Sequence, residues 1–161
     1  MISRILLLLV WAVSFTVCAA PKPNFLVIVA DDLGWADVGY HGSKIPTPNI
    51  DQLCRTGVEL DRHYVSPVCT PTRIGLLTGR YWSRYGNVGP SNERCLPWGT
   101  ETLASALRKC GYDTCITGKW HLGSLPKWGP RQFGFNHSHG SLAGGVNPFN
   151  HLYKHGEYSK T

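Results

Sequence analysis

Six consecutive apolar residues, Phe25-Leu26-Val27-Ile28-Val29-Ala30, run straight into Asp31-Asp32-Leu33-Gly34 and constrain the fold more than any other stretch. An unbroken run of this length, rich in branched side chains, suits a strand buried on both faces. Such strands belong to parallel sheets covered by helices. Open α/β folds place their sites at the carboxyl ends of those strands, so Asp31 and Asp32 stand at a functional position. Adjacent residues of a regular strand face opposite ways. For the two carboxylates to act together the chain must turn out of the strand, which Gly34 allows. Hard oxygen donors of this kind supply part of a Ca²⁺ or Mg²⁺ shell.

A second stretch reads Cys69-Thr70-Pro71-Thr72-Arg73-Ile74-Gly75-Leu76-Leu77-Thr78-Gly79-Arg80. Thr70 is a good N-cap, Pro71 suits the first helical position and Gly79 offers a stop, which predicts a short helix over 71–78. Cys69 then sits just ahead of a helix N-terminus, where unpaired N–H groups and the macrodipole favour an anion or a thiolate. Arg73, four residues on, can fold its guanidinium back toward Cys69. A third stretch follows a predicted strand over 112–117 and reads Gly118-Lys119-Trp120-His121-Leu122-Gly123. In extended chain Lys119 and His121 project to one side, and parallel strands would bring both out at the same end as Asp31 and Asp32.

Cys-x-Pro-Thr-Arg followed by Leu-Leu-Thr-Gly-Arg resembles the signature of the type I sulfatases. Asp31-Asp32-Leu33-Gly34-Trp35 and Gly118-Lys119-Trp120-His121-Leu122-Gly123 are similar to two further motifs of that family and stand in family order. Thr72 replaces the serine more usual there and keeps its hydroxyl. The resemblance covers residues 24 to about 151. It implies an alkaline-phosphatase-like α/β fold, a mostly parallel sheet flanked by helices. It also implies that Cys69 is converted to formylglycine by a formylglycine-generating enzyme and acts as the nucleophile. Asp31 and Asp32, joined by the group at Cys69, would bind one divalent cation, Ca²⁺ before Mg²⁺. Arg73 would steady the nucleophile, Lys119 would contact the sulfate, and His121 would hydrogen-bond to the nucleophile and assist turnover.

The implied reaction is hydrolysis of a sulfate ester, on an aryl sulfate or a sulfated glycan. A hydrated aldehyde has two hydroxyls on one carbon: one attacks sulfur, and the other later loses its proton and expels sulfate. A serine would remain sulfated. Calcium takes roughly six to eight oxygen ligands. The family supplies more Asp and Asn ligands, with another His and Lys, from a region beyond position 161. The resemblance therefore implies a truncated N-terminal portion of the catalytic domain over 21–161, with weak metal binding and little activity alone. Two other classes fit less of the sequence: a phosphatase or phosphodiesterase of the same superfamily, and a secreted relic or binder that holds sulfated glycans without cleaving them.

The rest of the chain sets the context. Residues 1–20 read as a secretory signal: Arg4 supplies the positive start, 5–17 is largely apolar, and Val17-Cys18-Ala19-Ala20 offers small residues for cleavage. The apolar run is short for a stable membrane span. The destination is the secretory pathway, extracellular or lysosomal, or the periplasm in a bacterium. Sixteen Lys and Arg against ten Asp and Glu give +6, but these residues are scattered, which argues against a nucleic-acid partner. Of the six cysteines, Cys18 leaves with the signal. Conversion of Cys69 then leaves an even set, Cys54, Cys95, Cys110 and Cys115, in a compartment where thiols usually pair. Cys110 and Cys115 also suit small buried positions.

Thr47-Pro48 opens a helix that Gly57 closes, with Ile50, Leu53 and Cys54 as a core-facing stripe. Residues 81–99, rich in Gly, Pro, Asn and Ser, read as an irregular loop shaping the rim of the site. Leu103, Ala104, Leu107 and Cys110 give a crossover helix over 100–109 that stops at Gly111. His63 has no assigned role. His137, His139, His151 and His155 lack a zinc-ligand spacing and are taken as structural or solvent-facing. Asn136-His137-Ser138 is a glycosylation acceptor sequence in a eukaryotic secretory route.

Overall fold

The structure, a computed structural model, describes residues 22–147 and 149–150. The signal segment with Cys18, and His151 and His155, lie outside the described residues. The chain divides into two units, Met1–Trp35 and Ala36–Thr161.

In the first unit, residues 25–30 form no strand. Phe25, Leu26, Val27, Ile28 and Val29 are 60%, 85%, 55%, 78% and 43% exposed. The buried central strand expected here is therefore corrected. Apolar composition equips a segment for burial, but inter-strand hydrogen bonds make it a strand. The sheet among the described residues has two strands, both in the second unit.

The second unit opens on helix α1, Pro48–Thr56, with Thr47 as N-cap and Gly57 as C-cap, as the turn chemistry predicts. The Thr47 side chain bonds elsewhere than its own helix N–H groups. It accepts from Gly39 N at 2.7 Å and donates to Asp51 Oδ1 at 2.7 Å, and Asp51 Oδ1 in turn accepts from Tyr40 N at 3.2 Å. A polar clasp thus joins α1 to the preceding turn, Gly39–His41. Its apolar stripe does not face a core: Ile50 and Leu53 are 41% and 65% exposed, and no residue of the helix is buried.

Helix α2 spans Cys69–Thr78, two residues longer at its start than predicted. Val68 is the extended N-cap, so Pro71 falls in the first turn, where its missing N–H costs no helical bond. Gly79 ends the helix at φ 64, its N–H returning to Gly75 O. Helix α3, Leu103–Lys109, starts from a capping box in which Thr102 and Ser105 each bond the other's backbone N–H. Thr102 Oγ1 also donates to Phe133 O at 2.6 Å, tying the helix start to the turn Pro130–Phe133.

Strands β1, Cys115–Lys119, and β2, His137–Ser141, pair in parallel with Cys115 opposite His137 and Lys119 opposite Ser141. The link between them runs through two one-turn 3-10 helices, Pro126–Trp128 and Pro130–Phe133. β1 begins three residues later than predicted because Thr114 is used in closing the start of the pair. Its carbonyl accepts from Asn136 N and His137 N at 2.9 and 3.0 Å, and its hydroxyl donates to Gly134 O at 2.8 Å.

The core of this unit gathers Ile74 of α2, Leu96 of the long loop, Ala104 of α3, Trp120 and Leu122 beyond β1, and Phe133, Phe135 and Leu142. The Trp120 ring lies 5.7 Å from Phe133 and 6.2 Å, edge to face, from Phe135. Aromatic pairs of this geometry add about 0.5–1.5 kcal/mol beyond their burial. The core fixes α2 and the segment after β1 against each other, which positions the site. Among the cysteines the predicted burial is reversed: Cys95 is in the core, whereas Cys110 and Cys115 are exposed. Cys54, Cys69, Cys95 and Cys115 are free thiols.

Candidate functional site

The segment leaving β1 continues the parallel ladder for two more residues, with Trp120 N on Ser141 O at 2.8 Å and His121 N on Leu142 O at 3.0 Å. His121 then turns at φ 56, a left-handed conformation that costs a side-chain-bearing residue on the order of 1–3 kcal/mol. The turn is held by Thr70, whose Oγ1 donates to His121 O at 3.0 Å and accepts from Ser91 N at 3.1 Å. With its backbone so fixed, buried His121 presents Nδ1 to Cys69 Sγ at 3.0 Å. Cys69 is half-buried in the first turn of α2. A nucleophilic atom at a helix start and an imidazole in hydrogen-bond reach form the pairing that activated nucleophiles use. Either atom donates, according to where the proton sits.

Arg73 lies in the first half of α2. Its Nη1 donates to the backbone carbonyl of Lys119. A positively charged side chain thereby joins α2 to the last residue of β1. Lys119 is half-buried at that strand end, paired through the ladder with Ser141. Cys69 and His121 thus meet side chain to side chain, and Arg73 reaches the backbone of Lys119, all within the second unit. The fold departs from the expected route, since the link from Lys119 to His121 leaves extended geometry at His121 itself.

Asp31 and Asp32 belong to the unit Met1–Trp35, where both are exposed. Asp32 has φ 59, so the chain does turn at the acidic pair. Among the described residues no group of three or more His, Cys, Asp and Glu side chains is gathered as a metal would require.

Four neighbours of the site are not marked as such by the sequence. Thr70 looks like a helix cap and instead locks His121. Ser91 and Asn92 sit in the loop read only as a rim. The sequence around Gly144 reads as a loop, yet a Cβ on it would lie 2.4 Å from His121 Cε1 and Nε2. The Gly144-Gly145 pair gives the one signal that a close backbone approach occurs there, without saying to what.

The family model that matches this sequence is described as Sulfatase and aligns with residues 23–160. Mouse arylsulfatase J is 42% identical over 135 residues, 81% of this chain and 23% of the relative. The arylsulfatase of Klebsiella aerogenes is 36% identical over 139 residues, 80% of this chain and 30% of the relative. The crystal structure of Ps i-CgsB in complex with k-i-k-neocarrahexaose superposes with a TM-score of 0.75 at 41% identity, over 83% of this chain and 31% of that one. The chain spans less than a third of the length of each of these proteins.

Proposed function

Since this chain belongs to the sulfatase family, we propose that it carries the nucleophile-bearing part of a sulfuric ester hydrolase, with residues 1–20 as a secretory signal and 21–161 as the N-terminal part of the catalytic domain. The observation that carries this reading is the 3.0 Å contact between Cys69 Sγ and His121 Nδ1. Cys69 is the residue that a formylglycine-generating enzyme converts. Formylglycine supplies a nucleophile that is regenerated after each turnover. Around it, His121 Nδ1 holds or returns the proton of the group at position 69, within the hydrogen-bond reach that proton transfer requires. Arg73 keeps the end of β1 docked on α2, and Lys119 offers its ammonium to the sulfate. Both add positive charge where negative charge accumulates.

Two adjacent carboxylates on a turning backbone are suitable hard-oxygen donors for a divalent cation, calcium before magnesium. Asp31 and Asp32 supply only a fraction of the roughly six to eight oxygens of a calcium shell. A bound cation would stabilise charge on the transferring sulfate. The substrate is an aryl sulfate or a sulfated glycan. The names of the arylsulfatase relatives support the first, and the oligosaccharide held by Ps i-CgsB supports a sugar in the second. The protein acts in the secretory pathway or beyond it; no helix among the described residues is long and apolar enough to cross a membrane.

Peptide mass spectrometry across Cys69, on protein made in cells that possess the modifying enzyme, tests the assignment. An aldehyde at position 69 is expected, and a thiol retained throughout overturns it. Turnover should favour aryl sulfate over aryl phosphate and fall about 10²-fold or more in His121→Ala. The opposite preference points to a phosphatase.

A further inference from the structure

The bonds from Thr70 and to Leu142 fix the backbone of His121, but they do not set the rotation of its ring. Something must aim Nδ1 at Cys69. A Cβ on Gly144 would fall 2.4 Å from both Cε1 and Nε2 of His121 and 3.1 Å from Cδ2, so the Gly144 backbone lies against that side of the imidazole. Gly144 is itself anchored, its N–H donating to Asn92 Oδ1 at 3.3 Å. The Asn92 carbonyl accepts from both Ser124 N at 2.8 Å and Ser124 Oγ at 2.9 Å. One residue of the long loop therefore ties down the segment after β2 and the segment after His121. Its neighbour Ser91 holds Thr70, which holds the His121 carbonyl. Residues 91 and 92 reach His121 from both ends, through its backbone and through its ring.

We propose that Asn92 and Gly144 are positioning residues: Asn92 fixes the Gly144 backbone, and Gly144, having no side chain, is the wall that turns His121 Nδ1 toward the group at position 69. The backbone of Gly144 lies outside the left-handed region, so an alanine there is strained by its contact with the ring and not by its own φ. The proposal rests on the reading that His121 works on Cys69, but it is testable on the unconverted thiol, without turnover.

The experiment records the His121 ring ¹⁵N signals of the 161-residue chain with and without Cys69→Ala. In the native background, Cys69→Ala should move the Nδ1 signal. In Gly144→Ala and in Asn92→Ala that response should fall at least about twofold, because a hydrogen bond weakens steeply with misalignment. Asn92→Asp, which keeps an acceptor oxygen, should preserve it. The indole N–H of Trp120, bonded to Trp128 O at 3.0 Å, reports whether the core is intact in each variant. A full response in Gly144→Ala overturns the wall, and Asn92→Asp failing as badly as Asn92→Ala with Trp120 unchanged overturns the anchor. A native Nδ1 indifferent to Cys69→Ala overturns the site reading together with this proposal.

Discussion

Thr70 follows the cysteine, is fully buried, and satisfies two backbone groups that belong to different segments, the carbonyl of His121 and the N–H of Ser91. Local chemistry alone makes it a helix cap, and that is how the sequence reads. In the fold its hydroxyl is used across the molecule, and Val68 takes the capping position. Cys69 and His121 were legible because their chemistry is written in their side chains and motifs. Thr70, Asn92 and Gly144 were not, because each acts through a contact more than 20 residues away in sequence or through the absence of a side chain. Thr70→Val removes the hydroxyl and leaves buried polar groups unmet, at about 1–3 kcal/mol each. A lowered urea midpoint is expected for Thr70→Val, with Thr70→Ser losing less than half as much. Equal midpoints for Thr70→Val and the native chain would remove the lock from the account of His121.

At the level of elements, helix boundaries were read well where the signal was local. Thr47-Pro48 and Gly57 bound α1, and Gly79 ends α2. Strand β2 was missed because His137-Ser138-His139-Gly140-Ser141 has neither the alternation nor the branched residues that mark a strand. It is held in the sheet by its ladder to β1 and by contacts at its start. Thr102 caps α3 and also bonds Phe133 O, so Thr102→Ala should cost about 1–2 kcal/mol from the cap alone, measured by thermal or urea unfolding.

The start of the strand pair is clipped by Asp113, which accepts from the Asn136 amide at 2.6 Å and lies 3.1 Å from His137 Nε2. The Asn136 hydrogen bond, aided by His137 and opposed by partial desolvation, holds the Asp113 carboxyl below its ordinary range. Its contribution to stability is therefore present above the ordinary carboxylate range and is lost as pH falls through the lowered folded value. The stability difference between native and Asp113→Asn should shrink on acidification through that window. An NMR titration of the Asp113 carboxyl should move upward in Asn136→Ala, and an unmoved titration would assign the depression to another neighbour.

For the whole molecule, an apolar pattern in the sequence states a capacity for burial and not the surface that would satisfy it. Trp120, Phe133, Leu96 and Ile74 do form a core, yet the run at 25–30 and the stripe on α1 remain exposed, since an apolar face needs a surface to meet. In the second unit Val58, Tyr64, Leu60 and Leu53 are 88%, 85%, 67% and 65% exposed. Large apolar side chains left this exposed favour association wherever they meet an apolar partner surface. The opposing force is the net charge of +6. At physiological ionic strength the Debye length is about 8 Å, so repulsion between copies is largely screened while apolar attraction is not. The 161-residue chain is accordingly expected to self-associate, with a mass by light scattering that rises with concentration. Because apolar association weakens on cooling, the mass at about 5 °C should fall below that at about 25 °C. A mass that is independent of temperature and yet collapses on adding sodium chloride would mean that ion pairs, not these side chains, hold the copies together.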